Sequence, residues 1–269
     1  MCDSSRAKLA PQSKIKEIKN IGIILALVAF FLCVIIYVRM VRRETPEPLG
    51  KIKAAIPVVV GLAAPFLATA LVILFGWLMK VTIGIPLAGL SDSLVYKSLV
   101  TSFVGAGFTE EFVKCMLLLL VVKILKPKNV YEYGIFCAGI AVGFTLLEEL
   151  LYGNGNTVTA LMRIPCFGLH VAFGVIMGTQ LGIARYRKQN NLGGAGKYIF
   201  LGVFLPMLWH TLYDASTVDN TGMMVEDAGA QTIGLIIALA GILISVVLQF
   251  VVFNNFKKKS GEYCGMLLN

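Results

Sequence analysis

Four short groups of ionisable side chains stand inside apolar stretches of this sequence. Charged groups within a membrane segment are costly, so each group is by default a hypothesis for a functional site. The groups are T-E-E-F-V-K with Glu110, Glu111 and Lys114; F-T-L-L-E-E-L-L-Y with Glu148, Glu149 and Tyr152; R-I-P-C-F-G-L-H with Arg163 and His170; and W-H-T-L-Y-D with His210 and Asp214.

These residue types suit the activation of water. A buried carboxylate can act as a general base, and an imidazole can stabilise a developing oxyanion or bind a metal. Two histidines and one glutamate also form a catalytic zinc set, which makes His170, His210 and Glu110 candidate zinc ligands. The H-E-x-x-H signature of zincins is absent from the sequence. Metal-dependent and metal-free hydrolysis therefore both stay open.

Each group taken alone also has a structural explanation. Thr109 is a candidate helix cap, and Glu110 in the first turn of that helix would pair with Lys114 four residues later. Glu148 would then lie at the membrane interface beside an aromatic residue, and His170 would be a hydrogen-bonding group between helices. The elements that position the four groups decide between these explanations.

The composition excludes an ordinary soluble enzyme. Of 269 residues, 57% are apolar and 14% are charged, against roughly 25% charged in a typical soluble domain. Four long runs contain no Asp, Glu, Lys or Arg, and a bilayer crossing needs about 20 residues. These runs are Ile21–Val38, Ala54–Met79, Ile164–Ala184 and Ala228–Phe256. The net charge of +9 lies in short clusters between the runs, which indicates membrane topology and not nucleic-acid binding.

The sequence therefore predicts an all-α, polytopic membrane helix bundle of seven helices. Between the second and the third, residues 81–105 are interrupted by glycine, proline and charge, and we interpret them as a loop with an interfacial or re-entrant helix and as a candidate gate. An eighth crossing at this segment stays open. The predicted helices are 21–41, 54–79, 105–125, 133–152, 164–184, 198–214 and 230–253.

Basic residues orient the predicted bundle. The connections 123–132 and 185–197 and the tail 257–269 are basic, so the positive-inside rule assigns them, with the C-terminus, to the cytoplasm. The connections 153–163 and 215–229 then face outward, whereas the flanks of the first helix are both basic and leave the N-terminus unassigned. All four ionisable groups then lie toward the outer leaflet. We predict one conical polar site between helices three to six.

The rest of the chain adds little chemistry. We expect a basic tail at residues 1–20, a single transmembrane domain at 21–256 and a basic tail at 257–269. The six cysteines form no C-x-x-C pair, which argues against a disulfide framework or a zinc knuckle. Glycines at four-residue spacing, at 139 and 143 and again at 174, 178 and 182, predict close helix packing.

Four motifs resemble those of the PrsW family of intramembrane proteases. They are E-E-x-x-K at Glu110, the stretch from Gly134 to Tyr152, the Arg163/His170 segment, and H-x-x-x-D at His210. Their order matches the family, and the resemblance covers a protease-like core at about residues 105–214. The family belongs with the CAAX prenyl endopeptidases and bacteriocin-processing proteins. Glu149 and Asp214 depart from its pattern, since asparagine commonly stands at both positions.

The resemblance implies peptide-bond hydrolysis by a membrane-embedded glutamate with two histidines, often described as metalloprotease chemistry with zinc. Carried over by position, Glu110 is the general base with Glu111 in support, His170 assists it, and His210 stabilises the transition state. The residues that orient these catalytic groups are Asp214, Glu148 and Tyr152. The supporting residues are Lys114, Glu149 and Arg163.

The implied substrate is a single-pass membrane protein in the lipid bilayer of the cytoplasmic membrane, cut near the outer leaflet. By resemblance it is an anti-sigma factor. An ion-coupled transporter that uses the same carboxylates and histidines as a relay is an alternative of another class. A CAAX-type or bacteriocin-processing protease and a non-enzymatic scaffold or immunity protein also stay open, as does the oligomeric state.

Overall fold

The regular structure of the chain is helical. The computed structural model describes residues 12–44, 47–83, 90, 93–155, 163–217 and 228–269. Within these residues the helices are α1 (Gln12–Val41), α2 (Lys51–Gly61), α3 (Ala64–Ile83), α4 (Leu94–Ser102), α5 (Phe108–Leu125), α6 (Val130–Gly155), α7 (Leu169–Gln189), α8 (Ala195–Thr217), α9 (Ala228–Lys258) and α10 (Ser260–Gly265). The all-α prediction is confirmed.

Several of these helices are able to cross a membrane. Five stretches are long and apolar enough: Ile21–Val41, Lys51–Thr82, Val130–Leu151, Ile164–Gln189 and Thr232–Lys258. Helices α5 and α8 fall outside this set, although both are fully described. Helix α5 carries Glu110, Glu111, Lys114 and Lys123 in 18 residues, which lowers its apolar character. The chain is thus an integral membrane protein, and the number of seven or eight crossings stays a prediction.

The helix that carries Glu110 is longer than the sequence predicts. Helix α4, a π-helical segment at Phe103–Gly107 and α5 follow without a break from Leu94 to Leu125. Ser93 caps the start, because its Oγ accepts a hydrogen bond from Tyr96 N at 3.4 Å. The predicted start of the third helix at 105 is therefore 11 residues too late, and the 81–105 segment is helical at 94–105. Gly105 and Lys97 lower hydropathy there without stopping the helix. Residues 84–89 and 91–92 of the predicted gate lie outside the described residues.

Helix α6 lies at the centre of the bundle, and glycines allow the neighbouring backbones to touch it. A Cβ on Gly143 would lie 2.0 Å from Val58 O in α2, and one on Gly178 of α7 would lie 2.3 Å from Tyr133 O in α6. Contacts this short leave no room for a side chain. The close approach predicted for these glycines is confirmed.

The connections rich in basic residues meet at one end of the bundle. Tyr131 at the start of α6 donates a hydrogen bond to Met40 O at the end of α1. Near the end of the chain, Leu268 N donates to Lys128 O at 2.7 Å, and Arg185 donates to Asn269 O at 2.6 Å. The α1–α2 connection therefore lies at the same end of the bundle as the connections at 126–129 and 190–194. We call this end of the bundle the basic end.

Candidate active site

Glu111 and Lys114 form the centre of a buried polar cluster between α5, α6, α7 and α8. Both residues are 0% exposed. The Lys114 ammonium lies 2.8 Å from Glu111 Oε1 and 3.5 Å from Glu110 Oε2, and 3.9 Å from the centre of the Phe144 ring. The three charged residues are three and four positions apart in α5, so one face of the helix presents all of them.

His210 lies between the two glutamates. Its Nδ1 is 2.9 Å from Glu111 Oε1, so it donates a hydrogen bond to that carboxylate. Its Nε2 is 3.8 Å from Glu110 Oε2 and 3.6 Å from Asp214 Oδ2. Neighbouring residues in a helix diverge by about 100°. Glu110 and Glu111 nevertheless reach one imidazole, because they approach its two nitrogens separately.

His170 connects the cluster to α6. Its Nδ1 lies 3.1 Å from Lys114 Nζ, and its Nε2 lies 2.6 Å from Glu148 Oε2. An ammonium can only donate, so Nδ1 accepts and Nε2 carries the proton that faces Glu148. This tautomer makes His170 a neutral link between a cation and a carboxylate. The rings of His170 and His210 are 4.9 Å apart.

Arg163 holds two carboxylates near the C-terminal end of α6. Its Nη2 lies 2.9 Å from Glu148 Oε1 and 3.0 Å from Glu149 Oε1, and its Nε donates to Glu149 at 3.1 Å. The guanidinium therefore fixes Glu148, which in turn orients His170. The structure brings all the predicted site residues together except Tyr152, which lies in α6 and whose side chain is outside the description.

Negative groups outnumber positive ones in this cluster. Five carboxylates lie beside two basic side chains, Lys114 and Arg163. Glu110 Oε2 and Glu111 Oε2 are buried and accept no hydrogen bond among the described residues. Uncompensated charge of this kind is expensive in a low-dielectric interior. The cluster therefore favours the uptake of further positive charge, as protons or as a cation.

Four of these residues fit a metal ion. The donor atoms of Glu110, Glu111, His170 and His210 lie within 4.8 Å of one another, and two imidazoles with carboxylate oxygens form a donor set that suits zinc. The unpartnered oxygens of the two glutamates agree with this fit. Lys114 contacts three of the four residues, so metal binding would require its ammonium to move away.

A lateral opening leads to the cluster. A cavity of about 430 Å³ lies between α3 and α6, and we call it the α3–α6 cleft. Its walls include Ala68, Thr69, Val72 and Phe144, and the carboxylates of Glu110 and Glu148 lie on it. The Glu110 side chain is 15% exposed, whereas that of Glu111 is 0% exposed. Of the paired glutamates, Glu110 is therefore the one that a substrate can reach.

Sequence reasoning missed two residues that support the site. Phe144 places its ring under the Lys114 ammonium, and its signal was its position one turn before Glu148. Gln249 of α9 is 1% exposed and accepts a hydrogen bond from Gly168 N at 2.9 Å while donating to Pro165 O. This amide holds the 3₁₀ turn at Ile164–Cys166. Its signal was an amide inside a long apolar run, the only one between residues 232 and 253.

The fold and the cluster define a helical membrane protein with a carboxylate–histidine site inside its bundle. The sequence model of the PrsW family of intramembrane metalloproteases matches residues 54–253. The chain belongs to that family, and the matched range includes every residue of the cluster. The predicted family membership is confirmed.

Curated relatives agree with this assignment. The chain is 36% identical over 132 residues to Protease PrsW of Halalkalibacterium halodurans, covering 48% of this chain and 59% of the relative. It is 30% identical over 168 residues to Protease PrsW of Clostridioides difficile, covering 57% and 63%. It is 33% identical over 123 residues to Protease PrsW of Bacillus subtilis, covering 44% and 54%. The chain thus matches less than two thirds of each relative's length. No solved structure matches it.

Proposed function

We propose that this chain is an intramembrane endopeptidase that hydrolyses a peptide bond in a membrane-anchored protein. The observation that carries the proposal is the convergence of Glu110, Glu111, His170 and His210, whose donor atoms lie within 4.8 Å of one another inside the bundle. Membership of the PrsW family supports the same reaction.

Glu110 is the general base of the proposed reaction. Its carboxylate lies on the α3–α6 cleft, where a water molecule and a peptide carbonyl can meet it. The water oxygen attacks the carbonyl carbon while its proton passes to Glu110. The C–N bond then breaks, and Glu110 returns that proton to the leaving nitrogen. A positioned base contributes about 10²–10⁴-fold to such a step.

The neighbouring side chains have distinct parts in this proposal. Glu111 is fully buried and bonded to Lys114 and His210, so it orients them and takes no proton from water. When both ring nitrogens of His210 are protonated, its Nε2–H faces Glu110, where it can stabilise the oxyanion. Glu148, held by Arg163, orients His170, and Asp214 orients His210.

A metal ion would be held by His170, His210 and Glu110, with Glu111 as a further donor. When bound, zinc would polarise the peptide carbonyl and acidify a water molecule. Elemental analysis of purified wild type, His170→Ala and His210→Ala tests this set. About one zinc per chain, lost in both variants, identifies the histidines as ligands. Cleavage by protein without stoichiometric metal assigns water activation to Glu110 and the histidines alone.

The position of the cluster along its helices supports cleavage near the outer leaflet. Glu110 and His210 are each 15 residues from the end of their helix at the basic end, and Glu148 is 18 residues from that end. At about 1.5 Å per residue these distances are about 22–27 Å, in a hydrocarbon core of about 30 Å. If the basic end is cytoplasmic, the site is in the outer half. A CAAX-type substrate would approach from the cytoplasmic side, which this depth disfavours.

The proposed substrate is a single-pass membrane protein of the anti-sigma-factor type. The test places the purified protein in liposomes with single-pass anti-sigma factors of the source organism, each tagged at both ends. We expect one of them to be cut in its outer-leaflet part. The Glu110→Gln variant should lose cleavage by at least about 100-fold, because an amide cannot accept the proton from water.

Glu262→Gln is the matched control, because Glu262 is exposed and pairs only loosely with Lys259 at 4.0 Å. It should cleave like wild type. Equal cleavage by Glu110→Gln and wild type would overturn the assigned base. Ion flux through liposomes that disappears in Glu110→Gln, with no cleavage of any tagged protein, would favour the transporter.

A further inference from the structure

The α3–α6 cleft lies beyond the point where α2 ends and α3 begins. Helix α2 lies directly on α6, because a Cβ on Gly61 would be 2.1 Å from Ile140 O. The backbone then tightens, with Leu62 N donating to Val59 O and Ala63 N to Val60 O. These 3₁₀-type bonds end α2, and α3 starts at Ala64 with Pro65 in its first turn. Helix α3 is thus a separate element from the helix that packs on α6.

Helix α3 is a loosely packed wall of this cleft. Among its described side chains only Ala64 and Ala68 are buried. Its other faces expose large apolar side chains, including Phe66 at 70% and Ile73 at 67%, as expected beside lipid. A helix with one apolar face on lipid and another on a cavity separates the two environments.

The cleft has an apolar wall and an acidic wall. On the α3 side Ala68 and Val72 are apolar, and the Thr69 hydroxyl already donates to Pro65 O at 2.8 Å. Glu110 of α5 and Glu148 of α6 line the other side. At about 430 Å³, the cleft is within the range of about 300–1,000 Å³ for sites that bind small molecules or short segments.

We propose that the α3–α6 cleft receives an extended stretch of a transmembrane segment of the substrate, and that the Ala68–Thr69–Val72 face of α3 contacts the residues beside the scissile bond. This inference rests on the proposed function. The occupant is apolar where it contacts Ala68 and Val72, because it arrives from lipid and meets an apolar wall there. It carries no carboxylate at the scissile bond, because Glu110 and Glu148 would repel one.

A substitution that fills the cleft tests the proposal. Thr69 is exposed and lines the cleft, whereas Ala70 is exposed and does not. The two side chains point about 100° apart on α3, which makes Ala70→Trp the matched control for Thr69→Trp. We expect Thr69→Trp to slow cleavage of the tagged anti-sigma factor by about tenfold or more. Ala70→Trp should stay within about twofold of wild type, as is usual for exposed sites.

Photo-crosslinking gives a readout that does not need cleavage. A photoreactive phenylalanine is placed at position 69 or at position 70 of full-length protein that also carries Glu110→Gln, and each form is mixed with the same tagged anti-sigma factor in liposomes. We expect a crosslink to that protein from position 69. Position 70 should give a crosslink to lipid.

The outcomes separate the cleft from the proposed function. Cleavage by wild type, with no crosslink from position 69 and no effect of Thr69→Trp, overturns the cleft and leaves the protease. A crosslink from position 69 without cleavage supports the cleft and counts against the protease. Lipid as the sole adduct at position 69 identifies lipid as the occupant and overturns the proposal. An absence of both cleavage and crosslinking contradicts both.

Discussion

Lys114 is the residue on which the buried cluster depends most. It contacts both carboxylates of α5 and the Nδ1 of His170, and its ammonium rests on the Phe144 ring. An ammonium at this place balances charge and also selects the tautomer of His170. The E-E-x-x-K motif on its own predicts that Lys114 pairs with a glutamate on the surface of a helix. In the structure Lys114 is buried, and its ammonium is the cation inside the site.

Replacing Lys114 by methionine should therefore cost more than the loss of one ion pair. The change leaves Glu111 buried without its counter-ion, and breaking a buried pair costs about 3–5 kcal/mol. We expect a lower melting temperature in detergent together with loss of cleavage. Lys123→Met is the control, because Lys123 is exposed on the same helix. Equal melting temperatures for wild type and Lys114→Met would contradict this account.

Asp214 lies near the centre of the cluster, at a position where the family resemblance predicts asparagine. Its Oδ2 lies 3.6 Å from His210 Nε2, and it adds to the excess of carboxylates. An amide has nearly the same shape and removes one negative charge. We expect Asp214→Asn to keep cleavage within a few-fold of wild type, whereas Asp214→Leu should lose it. Inactivity of the asparagine variant would show that the ionised carboxylate is required.

The residue types of the site were predictable from the sequence, but their contacts were not. Glu110, Glu111, His170 and His210 stand out because ionisable groups are rare in apolar runs. Nothing in the spacing indicates that the two glutamates approach opposite nitrogens of His210, because that depends on the position of α8 relative to α5. Phe144 was missed because its one signal is its position one turn before Glu148, and an aromatic side chain in an apolar helix adds nothing to it.

At the scale of elements, the turn before α7 controls where His170 lies. The 3₁₀ turn at Ile164–Cys166 follows Arg163 directly and precedes His170 by one turn. Two distant helices hold it. Gln249 of α9 bonds Gly168 N and Pro165 O, and Cys33 Sγ of α1 donates to Phe167 O at 2.7 Å. Helices without any catalytic group thus position the histidine.

Gln249→Leu should slow cleavage, although Gln249 contacts none of the residues of the polar cluster directly. It acts through the turn that positions His170. The change leaves the buried Gly168 N–H without its acceptor, at about 1–3 kcal/mol for a buried polar group, and it also removes the donor to Pro165 O. We expect a lower melting temperature and slower cleavage, with Gln249→Glu restoring part of the rate, since a carboxylate oxygen can still accept from Gly168 N. Asn254→Leu, at an exposed position of α9, serves as the reference. Unchanged cleavage by Gln249→Leu would remove α9 from the positioning of His170.

The sequence predicts which helices exist better than it predicts where each helix begins and ends. The charge-free apolar runs predict α1, α7 and α9 because length and hydropathy together define a crossing. The predicted start of the third helix at 105 is too late, because the helix begins at Leu94 and continues through the π segment at Phe103–Gly107. That segment packs against α8, since a Cβ on Gly107 would lie 2.1 Å from Thr211 Oγ1. Such a tertiary contact leaves no periodic trace in the sequence.

At the scale of the whole molecule, the structure shows which flank of the first helix lies with the other basic connections. The α1–α2 connection lies at the basic end, because Asn129 donates to Glu44 at 3.2 Å and Lys128 pairs with Glu47. The start of α1 is then at the opposite end. The basic flank after α1 lies with the other basic connections, as the positive-inside rule expects. The basic flank before α1 lies at the opposite end and does not follow that rule.

The stability of the protein should depend on pH through this end of the bundle. Burial and the neighbouring Glu132 carboxylate raise the pKa of Glu44 to about 7 from 4.5. The folded state therefore holds this proton more tightly than the unfolded state. The stabilisation is fully present below about pH 4.5 and is lost as pH rises through about 7.

Melting temperatures measured in detergent between pH 5 and 8 check this dependence. They should fall with rising pH in wild type and change less in Glu44→Gln, whose amide imitates the protonated acid. Parallel curves for the two proteins would show that Glu44 does not titrate in this range. Glu262→Gln, in the exposed helix α10, should follow wild type.

The polar faces of α5 and α8 also constrain how the chain enters the membrane during synthesis. Neither belongs to the stretches apolar enough to cross alone, and each central charge costs about 2.5–3.5 kcal/mol at translocon-mediated insertion. Helix α5 emerges from the ribosome before α6, α7 and α8, which carry the remaining partners of its charges. We therefore expect the nascent α5 to stay beside the translocon, or at the bilayer surface, until those partners have been made. Insertion of the buried polar cluster would then be delayed relative to insertion of the lipid-facing helices.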